Sequence, residues 1–207
     1  MRHDRRHACR HRRSAPRHPQ SRHHPPAARG HRHRRPRDIL ACAAEISPDL
    51  ATRIDAQLTT IETAAALNAT PAGYVHEAIA ACQDSGRIPA VISCHSTQAV
   101  TACLTAYDVA DRIKHVAGAT TFPPGHMSPK ADLLTDAISA LNAAPGECAL
   151  ITASSAGIDA ARGAGSLSIG YALTPATRQH LSTAGAGTVI PSLADLTLRL
   201  RARPLPN

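Results

Sequence analysis

The sequence predicts an α/β fold in which a parallel β-sheet lies between layers of helices. First, short apolar segments alternate with longer amphipathic ones from residue 73 onwards, and strands separated by helices of about ten residues form parallel sheets through right-handed crossovers. Second, glycine and proline stand at the junctions between these segments, where they interrupt regular structure. Third, only four residues are aromatic, so the core has to be built from Ala, Leu, Ile and Val.

The charge is distributed unevenly along the 207 residues, whose net charge is +8. Residues 1–37, the leader, hold 13 Arg against one Asp, a charge of +12. Residues 38–207, the body, hold 10 Lys plus Arg against 14 Asp plus Glu, a charge of −4. The basic character therefore belongs to the leader, and the body has the charge of an ordinary soluble domain.

The leader also contains 8 His and 5 Pro and almost no apolar residue beyond Ala, which predicts a disordered segment. Three interpretations are open. The leader is a basic arm that binds nucleic acid through phosphates, or a histidine-rich metal-binding tract using His23 and His24 or His31 and His33. Alternatively, the leader is not an evolved arm. Arg, His, Pro and Ala are the residues that a GC-rich coding region yields when it is read in the wrong frame or from upstream of the true start.

Residues 38–70 predict helices. One covers RDILACAAEI, and a second runs from about Ser47 to Asn68, since Ser47 is a suitable N-cap with Pro48 and Asp49 behind it. Apolar residues recur in the second helix at spacings of three to four, which predicts one apolar stripe: Leu50, Ile54, Leu58, Ile61 and Ala65. Thr70, Pro71 and Gly73 end the pattern.

The remaining elements follow in the order that an alternating α/β chain requires. Gly86 separates the first helix from the first strand, a proline-rich loop covers 122–129, and Pro145 and Gly146 precede the third strand. The predicted helices are 73–85, 96–107, 131–142, 158–164 and 193–201, and the predicted strands are 88–93, 115–119, 149–152, 167–171 and 188–190.

Composition excludes several classes of protein. The six cysteines include no C-x-x-C pair, which disfavours a zinc ribbon or a redox couple, and we expect them to be buried free thiols. No apolar run reaches about 18 residues, so we expect no membrane span. The leader lacks the apolar stretch of a secretory signal, so we expect a cytoplasmic protein.

Residues 149–171, ALITASSAGIDAARGAGSLSIGY, resemble the fourth motif of the haloacid dehalogenase-like phosphohydrolases, hhhhGDsxxDhxAAxxAG. The helix signature Ile158–Gly165 fixes the register without a gap. Thr152 and Ala153 then occupy the Gly-Asp positions, and Gly157 occupies the position of the second Asp. The resemblance implies that both carboxylates that bind Mg²⁺ in the family are replaced, and no cofactor is predicted here, since Mg²⁺ requires oxygen ligands.

The segment AVISCHST resembles the second motif, an apolar strand that ends in Ser or Thr. In the family the hydroxyl and the following amide hold the phosphate, which assigns phosphate binding to Ser93 and to Cys94, which stands where Asn is usual. A nucleophilic pair of Cys94 and His95 is an alternative that the geometry disfavours, because adjacent residues at a strand end point in opposite directions.

The segment MSPKADLL resembles the third motif, KPxPDLL, with the register set by residues 132–134. Ser128 then stands at the lysine position as a candidate phosphate ligand, and Lys130 lies two residues late as a candidate residual catalytic group with Ser93. The nucleophilic DxDGT of the first motif is absent, since the chain contains no D-x-D; Asp38 lies near its place but lacks the second Asp and the Gly. The leader stands where this motif is expected.

The resemblance implies a Rossmann-like parallel sheet that lacks its first core strand. The expected domains are the leader (1–37), a remnant helical cap (38–70), the α/β core (71–202) and a tail (203–207). The expected function is that of a phosphohydrolase homologue that is inactive or truncated. The alternatives are a binding protein for a phosphorylated small molecule, or for nucleic acid through the leader, and a slow hydrolase built around Ser93 and Lys130.

The missing strand has a physical consequence. In the resembled fold it lies between the strands assigned to 88–93 and 149–152. We expect either that these two strands pair directly or that the sheet keeps a gap. A gap leaves backbone groups unpaired at a cost of about 1–3 kcal/mol for each buried group, so we expect marginal stability, aggregation or dependence on a partner strand.

Overall fold

A computed structural model describes residue 43, residues 45–119 and residues 129–203, without the side chains of 129 and 130. All of them belong to one compact unit, residues 34–207. The prediction for the leader lies outside the described residues, as do those for most of the loop 122–129, of the tail 203–207 and of the first predicted helix. The helices are α1 (Pro48–Leu67), α2 (Val75–Asp84), α3 (Thr97–Ala106), α4 (Pro129–Ala140), α5 (Ser155–Gly163), α6 (Pro175–Thr183) and α7 (Leu193–Ala202).

The described strands form two parallel sheets. They are β1 (Ala90–Ser96), β2 (His115–Ala119), β3 (Ala149–Thr152), β4 (Leu167–Tyr171) and β5 (Thr188–Ile190). β1 pairs with β2, and β4 lies between β3 and β5. The predicted α/β class with parallel pairing is confirmed. β1 and β3 do not pair with each other, and no other described strand lies between them.

One layer of helices covers both sheets. α4 packs on β1 and β2 and against α5, which packs on β3 and β4. Ile92 of β1 and Leu150 of β3 contact the same cluster of buried residues, which α4 and α5 supply: Leu134, Ile138, Ala160 and Ala161. The two sheets therefore lie side by side beneath α4 and α5.

The capping prediction for α1 is confirmed. Ser47 is extended (φ −160°), and its Oγ accepts a hydrogen bond from the backbone nitrogen of Leu50 at 3.4 Å. Part of the predicted apolar stripe is not buried, since Ala51 is the buried residue of the helix while Leu50 and Ile61 are 39 % and 65 % exposed. No helix in the described ranges is both long and apolar enough to cross a membrane.

Three differences from the predicted elements have local causes. β1 extends to Ser96 rather than 93, through a register shift between Ile92 and Ser96. α5 begins at 155 rather than 158, because Ser154 acts as its N-cap. α6 was not predicted, since Leu181 is the buried residue in an otherwise polar helix and an apolar period was lacking.

Candidate functional site

The carboxyl end of β1 carries the first group of candidate residues. Ser93 is half-buried, and its Oγ accepts a hydrogen bond from the backbone nitrogen of His95 at 3.1 Å. Cys94 is half-buried and is not part of a disulfide. The hydroxyl of Ser93 is therefore engaged within its own strand, where the register of β1 shifts between Ile92 and Ser96.

Ser96 closes β1 and opens α3. Its Oγ accepts a hydrogen bond from the backbone nitrogen of Ala99 at 3.2 Å, which makes it the N-cap. Its own backbone nitrogen donates a hydrogen bond of 2.7 Å to Oε2 of Glu62 on α1. The other carboxylate oxygen of Glu62 lies 3.2 Å from Nδ1 of His95, and the Glu62 side chain is 9 % exposed. A carboxylate here is stabilised by the positive end of the α3 dipole.

β2 runs close against the start of α3. A Cβ added at Gly118 would lie within 3.0 Å of backbone atoms of Ser96 and Thr97, so glycine is required for this approach. The end of β2 thus supports the turn that holds Ser93 and Ser96.

The loop after β3 is the second group, and hydroxyls rather than carboxylates fill it. Oγ1 of the buried Thr152 accepts a hydrogen bond from the backbone nitrogen of Ser154 at 3.3 Å and lies 3.3 Å from Oγ of Ser154. The hydroxyl of Ser154 accepts from the backbone nitrogen of Gly157 at 3.2 Å. Ala153 is exposed.

Gly157 is packed directly on Thr152. A Cβ at this glycine would lie within 3.0 Å of Oγ1, Cβ and Cγ2 of Thr152. No side chain fits at residue 157 unless Thr152 moves. The fold therefore depends on glycine at this position.

An apolar cleft of about 610 Å³ lies between α1, β1 and α3. Its α1 wall carries Leu58, Ile61 and Ala65, three members of the predicted stripe. Glu62, Ser93 and His95 are the polar exceptions in its lining. The apolar face of α1 thus borders an open cleft.

The sequence matches no protein-family profile and no curated protein. The structure does match solved structures. A haloacid dehalogenase-like protein from Agrobacterium tumefaciens is 21 % identical with a TM-score of 0.55, over 77 % of this chain and 69 % of that one. A predicted phosphoglycolate phosphatase from Haemophilus somnus is 17 % identical with a TM-score of 0.60, over 79 % and 75 %. The chain has a haloacid dehalogenase-like fold.

A third neighbour is a hydrolase of the haloacid dehalogenase family from Deinococcus radiodurans, whose crystal structure holds phosphate and sodium. It is 24 % identical with a TM-score of 0.55, over 86 % of this chain and 80 % of that one. At these identities the similarity establishes the haloacid dehalogenase-like fold and not an activity.

The residues present do not fit the Mg²⁺ that the resemblance implies. Ala153 has no oxygen in its side chain, and Gly157 has no room for one. In the described ranges, no group of three or more His, Cys, Asp or Glu residues is placed to hold a metal ion. Mg²⁺ is usually bound in proteins through one or two carboxylates. Residues 153 and 157 supply no carboxylate.

The other predicted site residues are only partly located. Ser93 lies within β1, whereas the loop 152–157 begins at the last residue of β3, which belongs to the other sheet. Lys130 is the second residue of α4, and its side chain, like Ser128, lies outside the described residues. That these residues gather at one phosphate site stays a prediction.

The role of Glu62 was not predicted from the sequence. The residue interrupts the apolar face of α1, four residues after Leu58 and three before Ala65. A lone carboxylate in such a face needs a partner when buried. That signal was present, but its partner Ser96 lies 34 residues away and could not be identified from the sequence.

Proposed function

We propose that this chain is a non-catalytic homologue of the haloacid dehalogenase-like phosphohydrolases, without Mg²⁺-dependent phosphoryl transfer. The contact between Gly157 and Thr152 carries the proposal, because a threonine side chain fills the space at the position that the resemblance assigns to the second metal-binding carboxylate. Loss of a carboxylate at an open position could be compensated by a neighbour. At residue 157 a Cβ would lie within 3.0 Å of Thr152, so no space remains there for a carboxylate.

The environment of Ser93 supports the same conclusion. The backbone amide that opens α3 already binds the carboxylate of Glu62 at 2.7 Å. A phosphate ester approaching this helix end would meet a negative charge where it needs donors, and like charges at short range repel. The N-terminus of α3 thus already binds the carboxylate of Glu62 in place of a phosphate group from a ligand.

The test is turnover of p-nitrophenyl phosphate by the full chain, with and without millimolar Mg²⁺. We expect no product release above the buffer rate in either condition, and no change in Ser93→Ala. Turnover that requires Mg²⁺ would overturn the proposal. Turnover without Mg²⁺ that Ser93→Ala lowers would instead support the slow hydrolase built around Ser93 and Lys130.

Binding without catalysis is tested separately. Titration calorimetry with inorganic phosphate is run on the full chain, on Glu62→Gln, and on Asp136→Asn, which removes an exposed carboxylate on α4. We expect no saturable heat from the unmodified chain or from Asp136→Asn. Saturable binding by the unmodified chain would favour the alternative, a binding protein for a phosphorylated small molecule.

A further inference from the structure

The cations of the body are concentrated in one part of the fold. Residues 38–207 contain ten Lys and Arg residues. Four of them lie on four different helices: Arg53 on α1, Lys130 on α4, Arg162 on α5 and Arg178 on α6. The other six lie near the amino ends of β1 and β2, and we call them the basic surface: Arg87, Arg112, Lys114, Arg199, Arg201 and Arg203.

Arg87 joins the loop before β1 to the end of α7. Its guanidinium donates a hydrogen bond of 3.0 Å to the carbonyl of Arg203. Arg199 and Arg201 occupy the last turn of α7, and α7 packs along α2. Four arginines therefore meet where α2 and α7 end.

The two remaining cations stand on the other side of the same loop. The backbone nitrogen of Lys114, just before β2, donates a hydrogen bond of 2.9 Å to the carbonyl of Pro89. Nε2 of Gln83, near the end of α2, donates one of 3.3 Å to the carbonyl of Arg112. Because Pro89 follows Arg87 by two residues, these cations adjoin the four arginines.

The basic surface is positive in a body that is otherwise negative. Three carboxylates accompany it, since Asp84 ends α2, Asp108 follows α3 and Asp111 precedes Arg112. The six cations and three carboxylates carry +3, whereas the rest of the body has four Lys and Arg against 11 Asp and Glu, a charge of −7. Each helix end offsets only about half a unit charge, so the surface stays positive.

These cations are accessible and are not neutralised by ion pairs. Five of them are exposed: Arg112, Lys114, Arg199, Arg201 and Arg203. Within the part of the chain that the structure describes, none of the six forms an ion pair with a carboxylate, whereas Arg162 on α5 is paired with Asp159. Their charge is therefore available to an external anion.

We propose that the basic surface binds the phosphate backbone of double-stranded nucleic acid without sequence preference. Phosphates repeat along each strand of a duplex about every 3.4 Å, so a row of separate cations contacts several of them. Five of the six cations are Arg, whose planar guanidinium binds phosphate through two hydrogen bonds. None is aromatic, and stacking on aromatic rings is typical of proteins that bind single strands.

The leader favours a polymeric anion over a small one. It carries +12 on the same chain, and two linked cationic segments bind one polyanion more tightly than either does alone. A single phosphate group cannot contact both. The basic surface lies at the amino ends of the strands and Ser93 near the carboxyl end of β1, so the inference goes beyond the proposed function and is independent of it.

A membrane surface fits these observations less well. A helix that lies in a membrane interface presents an apolar face of Trp, Phe or Leu below its charges. α7 has no aromatic residue, and of its leucines Leu198 is 66 % exposed while the others are half-buried. Exposed arginines without such a face match a phosphate backbone better than a lipid bilayer.

The first test measures the salt dependence of binding of a labelled DNA duplex of mixed sequence to the full-length protein. Fluorescence anisotropy compares the unmodified chain with Arg199→Gln/Arg201→Gln. The control, Arg53→Gln/Arg178→Gln, removes the same charge from exposed positions on α1 and α6. The leader is identical in all three proteins, and thermal unfolding verifies that both variants are folded.

We expect only the variant of the basic surface to lose salt dependence. The logarithm of the binding constant falls with the logarithm of the salt concentration by about 0.9 for each phosphate contact. Loss of two contacts should therefore make this slope shallower by about 1.8 between about 50 and 200 mM salt. The control variant should keep the slope of the unmodified chain.

The second test needs no variant. Lys114 and Lys130 are the two lysines of the chain, so acetylation followed by mass spectrometry reports on both at once. The duplex should slow acetylation of Lys114, which belongs to the basic surface. Lys130, at the start of α4, should react at the same rate with and without DNA.

Three results would overturn the proposal. Equal slopes in the unmodified chain and both variants, or an equal loss in both variants, would show that the leader or the net charge accounts for binding. Equal protection of both lysines, or of neither, would show that DNA does not bind specifically at the basic surface. Tighter binding to phosphatidylserine vesicles than to the duplex at the same salt concentration would assign the surface to a membrane.

Discussion

The backbone nitrogen of Ser96 donates a hydrogen bond of 2.7 Å to Oε2 of Glu62, which joins the middle of α1 to the end of β1. The same carboxylate lies 3.2 Å from Nδ1 of His95. α1 packs on α3 and β1, and an open cleft remains between the three elements. Glu62 is therefore a polar link between α1 and the end of β1, beside the cleft where apolar packing is incomplete.

Substitution of Glu62 should lower the free energy of unfolding, and Glu62→Ala should lower it more than Glu62→Gln. Glu62→Gln keeps an oxygen acceptor but removes the charge at the α3 terminus, so we expect a loss of about 0.5–1 kcal/mol in the free energy of unfolding. Glu62→Ala also removes the hydrogen bond to Ser96, so the loss should rise to about 1.5–3 kcal/mol. Urea denaturation at pH 7 measures both values. Equal losses in Glu62→Gln, Glu62→Ala and the exposed control Asp136→Asn would contradict a specific role for this carboxylate.

Alkaline pH should destabilise the chain through Cys82. Burial raises the pKa of this thiol from its ordinary value of 9.0, and the guanidinium of Arg87 opposes the shift by a smaller amount. The folded chain then keeps its proton while the unfolded chain loses it, so stability present below about pH 9 is lost as the pH rises through the raised pKa. Thermal unfolding at increasing pH measures the effect.

Cys82→Ser separates this titration from packing. The variant has lost any packing contribution already at pH 7, where the thiol is protonated in both states. From pH 7 to pH 10 its melting temperature should fall less than that of the unmodified chain. An equal fall in the melting temperature of both proteins would show that the titration of Cys82 does not cause the loss of stability. Cys148, whose pKa burial also raises, leaves a smaller residual slope in the variant.

The elements that the sequence predicted have local causes. Ser47 with Pro48 and Asp49 fixes the start of α1, and a single serine, Ser96, fixes the start of α3. The third and fourth strands match the predicted bounds 149–152 and 167–171, since short apolar runs between turn residues determine them. The family resemblance rested on the same local pattern and led to the observed fold.

The details of the candidate site depended on contacts between distant residues. The bond of Glu62 to Ser96 spans 34 residues. The resemblance marked Gly157 as a lost carboxylate, but only the fold shows that Thr152 fills its space. The sequence left open whether β1 and β3 pair directly, because pairing of strand edges depends on how α4 and α5 set the two sheets, and in the part of the chain that the structure describes they do not pair.

His115, the first residue of β2, should be replaceable with a gain in stability. Its Nε2 is buried and has no hydrogen-bond partner among the described residues. An unsatisfied buried polar atom costs about 1–3 kcal/mol. His115→Phe keeps a planar ring on a strand and should raise the free energy of unfolding by about 1 kcal/mol, whereas His76→Phe at an exposed position of α2 should change it little. A loss of stability in His115→Phe would contradict an unsatisfied Nε2 as the dominant cost at this position.

The contact between Gly157 and Thr152 should appear as a coupling between two substitutions. Gly157→Ala forces a Cβ within 3.0 Å of Thr152, so we expect a net loss of about 1–3 kcal/mol in the free energy of unfolding. Thr152→Ala removes Oγ1 and Cγ2, so the double variant should lose less than the sum of the single variants, by about 1 kcal/mol. Denaturant unfolding of the four proteins gives this coupling.

Gly163→Ala on the same helix is the control, because nothing lies within 4 Å of a Cβ there and alanine favours the helix. It should leave stability unchanged or raise it.

The packing of Thr152 on Gly157 also means that the double variant Ala153→Asp with Gly157→Asp should not bind Mg²⁺ more tightly than about 0.1 mM, the scale of weak extracellular Ca²⁺ sites. The double aspartate variant should also unfold more readily than Ala153→Asp alone. A stable double aspartate variant with micromolar affinity for Mg²⁺ in calorimetry would show that the loop opens freely, and the packing argument against a metal site would fail.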